Sequence, residues 1–255
     1  MEIRFHKYQA AGNDFVVVDN RLGNFPKRLS TIQRICDRKF GIGSDGIILI
    51  ENTDNGQFEM VFYNPDGSQS LCGNGCRAAI RFAQSLQLTS DVTEFNAFDG
   101  KHKALIKEST INLQMSNVQN GRQIEGGIFL DTGSPHFVRF VEDVQKVDVF
   151  NEGRKWRNSG LFGDGGANIN FVEIKDNNRL FVRTYERGVE NETLSCGTGV
   201  TASALAASTQ GCASPVTVET KGGILRVDFE KNNTGFKSVW LEGPAEHVFS
   251  GSIEL

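Results

Sequence analysis

The chain has 255 residues, enough for one large domain or two modest ones with a real hydrophobic core and no need of disulfides. Its 27 basic and 31 acidic side chains give a net charge of -4 without a basic block, which argues against a nucleic-acid partner. The longest strongly apolar run, at 46–50, is far short of the ~20 residues that cross a bilayer, and the first residues lack a signal peptide's apolar stretch. These features predict a soluble, cytoplasmic protein without a membrane partner.

Alternating polarity predicts strands along most of the chain. In the first half the predicted strands are Phe5 to Tyr8, Phe15 to Asp19, Ile47 to Glu51, Phe58 to Tyr63, Lys103 to Lys107 and Ile111 to Met115. In the second half they are Ile128 to Asp131, His136 to Phe140, Ile169 to Lys175, Arg179 to Tyr185, Val216 to Thr220, Ile224 to Phe229, Ser238 to Glu242 and Ala245 to Phe249.

Two predicted helices interrupt the strands. The first covers about 73–86, where Ala79, Phe82, Ala83 and Leu86 have the spacing of one buried face. The second covers about 197–209 and consists almost entirely of small residues, which let surrounding backbone pack closely. Each is expected to be a central helix wrapped by sheet.

The starts of these helices form a weak internal repeat. Leu-Cys-Gly-Asn-Gly at 71–75 and Ser-Cys-Gly-Thr-Gly at 195–199 lie about half the chain apart, and a strand precedes each. The repeat predicts an α+β fold of two pseudo-symmetric lobes, each an antiparallel, β-barrel-like sheet around a central helix. The expected lobes are residues 1–116, joined by a C-terminal strand at about 249–255, and residues 117–248.

The chain has five cysteines, an odd number, and we find no export signal in its sequence, so we expect reduced thiols rather than a disulfide framework. Cys72 and Cys196 each directly precede a predicted helix, whose unpaired N–H groups favour a thiolate and can also bind a carboxylate. Cys36, Cys76 and Cys212 are interpreted as packing residues.

Two such thiols suggest a specific reaction. One thiolate could remove a proton from a carboxylate-bearing carbon while the other thiol returns one to the opposite face, which inverts the stereocentre. The N–H groups at the two helix ends would stabilise the carbanion, and no cofactor is formally needed. A metal site is not predicted, because Cys72 and Cys76 lack a second ligand pair and the four histidines are scattered.

Five motifs in order extend this interpretation over nearly the whole chain: Gly-Asn-Asp-Phe at 12–15, Phe-Tyr-Asn-Pro-Asp-Gly at 62–67, Cys-Gly-Asn-Gly at 72–75, Glu-Arg-Gly at 186–188 and Cys-Gly-Thr-Gly at 196–199. In these motifs the chain resembles the diaminopimelate epimerase family. The resemblance implies an isomerase that interconverts LL- and meso-2,6-diaminopimelate, a small-molecule substrate on the route to lysine and peptidoglycan. It also implies a two-base cysteine mechanism without pyridoxal phosphate, and a homodimer.

The resemblance assigns acid/base catalysis to Cys72 and Cys196, and the tuning of their protonation to His136 and Glu186. The substrate-binding residues it implies are Asn13, Asn64, Gly73, Asn74, Asn168, Glu186, Arg187, Gly197 and Thr198. Among these, Gly73 with Asn74 and Gly197 with Thr198 are expected to bind the reacting α-carboxylate through backbone N–H groups, and Arg187 the distal carboxylate.

Plainer readings of these residues stay open. The two asparagines Asn13 and Asn64 flank turn residues, Arg187 could be a surface charge, and His136 and Glu186 could be ordinary hydrogen-bonding groups. Asp14, Asp45 and Asp66 are equally well explained as turn and cap residues and are left out of the site.

The chain departs from the family pattern in three places. Ser134 stands where the family commonly has asparagine, one residue is added within 189–192, and Gly46 stands where some members have glutamine. We therefore expect contacts at the substrate's distal end to differ from those of the family.

Two alternative functions stay open. A proline or hydroxyproline racemase also uses paired cysteines, although its first turn usually reads Cys-Gly-His-Gly, whereas this chain has Asn74 there. A non-catalytic carboxylate-binding or redox protein would use the thiols as a reversible disulfide.

Overall fold

The computed structural model describes residues 1–54, 57–176 and 178–255. It divides the chain into two compact units, Met1–Leu113 with Gly243–Leu255 and Gln114–Glu242. The end of the chain therefore returns to the first unit, where the last strand pairs along the first in antiparallel register from Glu2 opposite Glu254 onward.

The first unit is built mainly of strands. They are β1 (Glu2–Ala10), β2 (Asn13–Asp19), β3 (Gly46–Glu51), β4 (Glu59–Tyr63), β5 (Val92–Ala97), β6 (Gly100–Ile106) and β7 (Thr110–Gln114), with the C-terminal strand Glu246–Glu254. Its helices are α1 (Leu29–Cys36) and α2 (Gly73–Ser85).

The second unit has the same character. Its strands are β8 (Val118–Gln119), β9 (Arg122–Ile124), β10 (Gly127–Asp131), β11 (Pro135–Phe140), β12 (Asn168–Asp176), β13 (Arg179–Glu186), β14 (Asn191–Thr193), β15 (Val216–Thr220), β16 (Gly223–Lys231) and β17 (Gly235–Pro244). Its α-helices are α3 (Val149–Arg157) and α4 (Gly197–Ala207), and short 3-10 turns cover Val144–Lys146 and Ser208–Gln210. The C-terminal strand Glu246–Glu254 is β18 in this numbering.

The two units repeat one order of strand pairing. In the first, β1–β2 is antiparallel, β2–β3 parallel, β3–β4 antiparallel, β4–β5 parallel and β5–β6 antiparallel. In the second, the pairs β10–β11, β11–β12, β12–β13, β13–β15 and β15–β16 follow the same sequence of directions. The equivalent helices α2 and α4 occupy the same place in this order. The weak repeat in the sequence thus corresponds to a repeated topology.

The α+β class predicted from the sequence is confirmed, with one correction to the sheet. Among the described residues each unit contains two parallel strand pairs, whereas the sequence analysis predicted antiparallel sheets. Parallel neighbours need a crossover connection, and the segments holding α1 and α2 supply the two crossovers of the first unit. Polarity alternation shows which residues face the core but not the direction in which neighbouring strands run.

The central helices agree closely with their predicted ranges. α2 ends at Ser85 with Leu86 as its cap, and α4 ends at Ala207 and continues as a 3-10 turn. α4 is buried from Gly199 to Ala207 among β10, β11, β12, β13, β15 and β16. A helix that is apolar and small on all sides is one that sheet can surround. The predicted elements did not include α1, α3 or β5.

Candidate active site

Cys72 is the N-cap residue of α2. Its extended backbone (φ -127°, ψ 107°) directs the side chain back over the helix start, where Sγ accepts a hydrogen bond from the Gly75 N–H at 3.4 Å. The thiol is half-buried. A sulfur that accepts an amide hydrogen bond at a helix N-terminus is in a setting that favours the thiolate.

Gly73 and Gly75, the two glycines after Cys72, differ in how much space surrounds the position where a side chain would begin. A Cβ at Gly75 would lie 3.2 Å from Met60 Cε and 3.3 Å from Cys72 Cβ, so the turn itself leaves little room there. A Cβ at Gly73 would meet no described atom within 4 Å. Packing against the described residues therefore does not require glycine at position 73.

A directional chain of hydrogen bonds links the side chains around this turn. Arg77 Nη2 donates to Asn74 Oδ1 at 2.7 Å, and Asn74 Nδ2 donates to Asn13 Oδ1 at 2.6 Å. Asn13 Nδ2 in turn donates to Asp45 Oδ2 at 3.0 Å. Because a guanidinium only donates and a carboxylate only accepts, the two ends fix the orientation of both amides. The structure thus brings the predicted residues Asn13 and Asn74 together.

Sequence analysis did not identify Arg77 as a site residue, and it left Asp45 out of the site as a turn or cap residue. Arg77 is fully buried, also donates from Nε to the Pro244 carbonyl at 3.2 Å, and has its pKa lowered by burial to about 10. Asp45 Oδ2 also accepts from the Asp14 N–H at 3.2 Å. A signal existed for Arg77, because residues three apart on a helix are neighbours and Arg77 therefore lies beside Asn74 on α2.

Asn64 lies apart from this chain of contacts. Its Nδ2 donates within its own turn, to the Ser68 carbonyl at 3.2 Å and to the hydroxyls of Ser68 and Ser70 at 3.1 Å each. These contacts are those of a turn-forming residue, so the substrate-binding role of Asn64 stays a prediction.

Cys196 repeats the geometry of Cys72 at the start of α4. Its backbone (φ -123°, ψ 111°) differs from that of Cys72 by only a few degrees. Its Sγ is 3.5 Å from Thr198 Oγ1. The Thr132 hydroxyl donates to the Thr198 carbonyl at 2.9 Å and so ties the helix start to the end of β10.

His136 is fully buried beneath this helix start. Its Nε2 is 2.8 Å from Thr198 Oγ1 and its Nδ1 is 3.0 Å from Asn170 Nδ2. Burial and, to a smaller extent, the charge of Arg187 lower the pKa of His136, the contact with Asn170 raises it, and the result is a pKa of about 3. The ring is therefore neutral near pH 7. Gly199 makes the close packing possible, since a Cβ there would lie 2.5 Å from Asn170 Oδ1.

Asn168 connects the predicted distal residues. Its Nδ2 donates to Ser134 Oγ at 2.9 Å and to the Pro135 carbonyl at 3.1 Å, while its Oδ1 accepts from the Arg187 backbone N–H at 2.8 Å. The Arg187 side chain is exposed, with Nη1 3.4 Å from the Gly165 carbonyl. Glu186, half-buried, is the last residue of β13. Ser134, one of the expected departures from the family pattern, thus accepts a hydrogen bond from Asn168.

Glu190 lies in the segment 189–192, where the sequence analysis expects one added residue relative to the family pattern. Its backbone lies in the left-handed region (φ 55°), and its carboxylate accepts from the Gly188 N–H and from the Tyr185 hydroxyl, each at 3.1 Å. Arg157 Nε lies 3.3 Å from the same carboxylate. The turn after Arg187 is thereby tied to β13 and α3.

The remaining thiols differ from the two at the helix starts. Cys36, Cys76 and Cys212 are buried, and burial raises the pKa of each. Such thiols resist ionisation, as expected of packing residues. Over the described parts of the chain, no three His, Cys, Asp or Glu side chains gather as metal ligands would. No helix among these residues has the length and apolarity to span a membrane.

The fold is shared with solved structures of low sequence identity. The PhzF-family phenazine biosynthesis protein of Bacillus anthracis matches with a TM-score of 0.74 and 15% identity over 100% of both chains. A hydroxyproline epimerase of Agrobacterium vitis matches with a TM-score of 0.70 and 11% identity, covering 99% of this chain and 92% of its own. These likenesses define the fold class alone: an α+β architecture with sheet around central helices.

Sequence similarity is more specific than the fold. The family model described as diaminopimelate epimerase matches residues 5–121 and 128–248. The diaminopimelate epimerase of Flavobacterium psychrophilum is 48% identical, covering 98% of this chain and 100% of its own length. The chain belongs to the diaminopimelate epimerase family, a family of isomerases.

Proposed function

We propose that this protein interconverts LL- and meso-2,6-diaminopimelate by proton transfer through Cys72 and Cys196. The observation that carries the proposal is the matched pair of cysteines, each the N-cap of a buried helix in the same place of a repeated topology. Membership of the family supports the substrate.

The reaction needs two groups that exchange a proton with carbon. One sulfur, as thiolate, takes the α-proton, and the electron pair of the broken C–H bond spreads into the carboxylate. The other sulfur, as thiol, gives its proton to the opposite face, so the products are the inverted amino acid and a thiolate in the second position. The proton count is unchanged, and the next turnover in the reverse direction restores the starting state.

The helix starts supply the electrostatic part of this mechanism. In our proposal the backbone N–H groups at Gly73–Asn74 and Gly197–Thr198 bind the α-carboxylate, where negative charge grows in the transition state. The open space at the Cβ position of Gly73 supports this, because packing against the part of the chain that the structure describes does not require glycine there.

The other predicted residues would hold the rest of the substrate. Asn13, Asn64 and Asn168 would bind its polar groups, and Arg187 with Glu186 the distal amino-acid end. His136 and Glu186 would tune the protonation of the thiols. The buried, neutral ring of His136 beside Thr198 supports that role for the histidine.

The alternatives have weaker support. A proline-type substrate has no second amino-acid end for Arg187, and Asn74 stands where those racemases usually have histidine. A place on the route to lysine and peptidoglycan and a homodimer remain predictions from the resemblance, and a cytoplasmic location remains a prediction from the sequence features.

The test incubates the purified protein with LL-diaminopimelate under reducing conditions and separates the stereoisomers over time. We expect meso product from this substrate and no inversion of L- or D-proline. Cys72→Ala and Cys196→Ala should each lose inversion at least a thousandfold, since each thiol serves one face. Cys212→Ala, a buried cysteine away from both helix starts, is the matched control and should retain activity. Turnover in either helix-start variant at the control's rate contradicts the proposal.

A further inference from the structure

The two ring nitrogens of His136 face different polar side chains. Nδ1 lies 3.0 Å from Asn170 Nδ2, and Nε2 lies 2.8 Å from Thr198 Oγ1. A neutral imidazole has one donor and one acceptor nitrogen. Which nitrogen carries the proton therefore decides whether Thr198 donates to the ring or accepts from it.

The orientation of the Asn170 amide is set by its other neighbours. Its Nδ2 is 3.4 Å from the Phe137 carbonyl, and its Oδ1 is 2.9 Å from Thr184 Oγ1. Rotating the amide by half a turn would place Oδ1 against the carbonyl oxygen, and neither oxygen can donate. The amide nitrogen therefore faces His136 Nδ1, which must accept.

The proton of the neutral ring is then on Nε2, directed at Thr198 Oγ1. Asn168 Nδ2 also lies 3.5 Å from Nε2, but it makes shorter contacts to Ser134 Oγ and the Pro135 carbonyl, so it does not compete. With its oxygen accepting from the ring, the Thr198 hydroxyl has its own proton for another acceptor. Cys196 Sγ is 3.5 Å away, within hydrogen-bonding range of a sulfur.

We propose that Asn170 holds His136 in the Nε2–H tautomer, and that the Thr198 hydroxyl therefore donates its hydrogen bond to the Cys196 sulfur. Asn170 and the Thr198 hydroxyl are thus positioning groups that act through their neighbours, a role distinct from backbone binding by Thr198. A donor aimed at sulfur stabilises the thiolate relative to the thiol. The inference rests on the proposed function only for its effect on turnover.

Charged groups nearby do not alter this assignment. Arg187 is the described charge whose field acts on His136, and together with burial it keeps the ring neutral. Glu186 precedes Arg187 at the end of β13. A neutral ring must choose one tautomer, so the amide of Asn170 decides the direction of the hydrogen bonds up to Cys196.

The first test reads the tautomer directly. Protein labelled with ¹⁵N-histidine is examined by long-range ¹H–¹⁵N correlation at pH 7, with His136→Gln used to assign the signals. We expect the pattern of a pure Nε2–H ring in the wild type and a shift toward the average of both tautomers in Asn170→Leu. Phe171→Leu is a buried substitution on the same strand that should keep the wild-type pattern. An Nδ1–H ring in the wild type, or a pure Nε2–H ring in Asn170→Leu, overturns the proposal.

The second test measures the reactivity of Cys196 without any substrate. The protein is alkylated with iodoacetamide at pH 7, and the modified Cys196 and Cys72 peptides are quantified over time. Thr198→Val keeps the shape of threonine but removes the donor, and we expect it to slow Cys196 alkylation about tenfold, the loss of one hydrogen bond to a charged group. Thr198→Ser should restore the rate to within about twofold, and Cys72 in the same sample should be unaffected.

The two failures are distinguishable. Cys196 alkylation in Thr198→Val at the wild-type rate overturns the donor role, whatever the enzyme does with diaminopimelate. Absence of epimerisation with both readouts as expected would refute the proposed function and leave the tautomer assignment standing.

Discussion

Gly75 and Gly199 hold equivalent positions in the two Cys-Gly-x-Gly turns, yet substitution by alanine should affect them differently. At Gly199 the new Cβ would lie 2.5 Å from Asn170 Oδ1 and 3.2 Å from His136 Cε1, and both of these side chains are fully buried. At Gly75 the nearest atoms are Met60 Cε at 3.2 Å, the end of a flexible side chain, and Cys72 Cβ at 3.3 Å, and a shift of a few tenths of an ångström relieves both contacts. Only the first contact forces a rigid, hydrogen-bonded group to move.

The expected free energies follow from these contacts. Non-bonded heavy atoms pack best at about 3.5 Å, so Asn170 must move by about 1 Å in Gly199→Ala. Overpacking of this kind costs about 1–3 kcal/mol, and a weakened hydrogen bond about 1 kcal/mol more. Alanine regains at most about 1 kcal/mol of helix propensity. Gly199→Ala should therefore destabilise the protein by about 1–3 kcal/mol, whereas Gly75→Ala should stay within about 1 kcal/mol of wild type.

Urea unfolding tests this difference. Trp156 and Trp240 both lie in the second unit, so tryptophan fluorescence follows the unit that contains Gly199, while far-ultraviolet circular dichroism follows both. Equal free energies of unfolding for the two variants, or a Gly199→Ala protein as stable as wild type, would refute the packing argument.

Three further predictions concern the first unit. Gly73→Ala should keep the wild-type stability, because the new Cβ meets open space. The variant should nevertheless lower kcat/KM at least tenfold, since the methyl group obstructs the proposed carboxylate site. An unchanged kcat/KM would count against that site. Asp45→Asn should raise KM for LL-diaminopimelate about tenfold, because the Asn13 amide loses one charge-assisted hydrogen bond. The control Asp143→Asn, on the surface of the second unit, should leave KM unchanged. Equal KM values for the two variants would show that Asp45 does not position Asn13. Burial raises the pKa of Asp14, but hydrogen bonds from Arg38 and Lys7 outweigh it and hold the pKa at about 2. Since the folded-state pKa is depressed, this carboxylate stabilises the fold above its ordinary pKa, and that stability is lost as pH falls from about 4 to about 2. The melting temperature of Asp14→Asn should therefore fall less than that of wild type over this range, and parallel curves would contradict the pKa assignment.

Much of the fold was predictable because the strands are half-buried and alternate in polarity. β5 was missed since its buried face carries only Thr93 and Phe95 between polar residues, which alternation alone does not distinguish from a loop. α1 and α3 are short, with eight and nine residues, so each offers only about two turns in which a helical period can be recognised. The parallel pairs depend on which strands become neighbours, and that is decided by tertiary packing.

The site also contains residues that were predictable from local sequence and residues that were not. The helix-capping cysteines were predictable because glycine-rich turns before a helix carry a local signal. Arg77, Asp45 and Asn170 were not assigned to the site, since each acts by orienting another side chain. Asp45 contacts Asn13 and Asn170 contacts His136 between elements distant in sequence, whereas Arg77 lies one helical turn from Asn74. Asn170 did carry a signal, because it lies two residues from Asn168 on a strand and so faces the same side.

The most direct test of the central claim is the fate of the α-proton in D₂O. LL-diaminopimelate is incubated with the wild-type enzyme, and the meso product and the remaining LL substrate are analysed by mass spectrometry during the first tenth of the reaction. With two thiols acting on opposite faces, the meso product should carry one deuterium at the inverted carbon, while the remaining substrate stays unlabelled. Meso product that retains protium, or substrate labelled as fast as product, would mean that a single base serves both faces and would contradict the account.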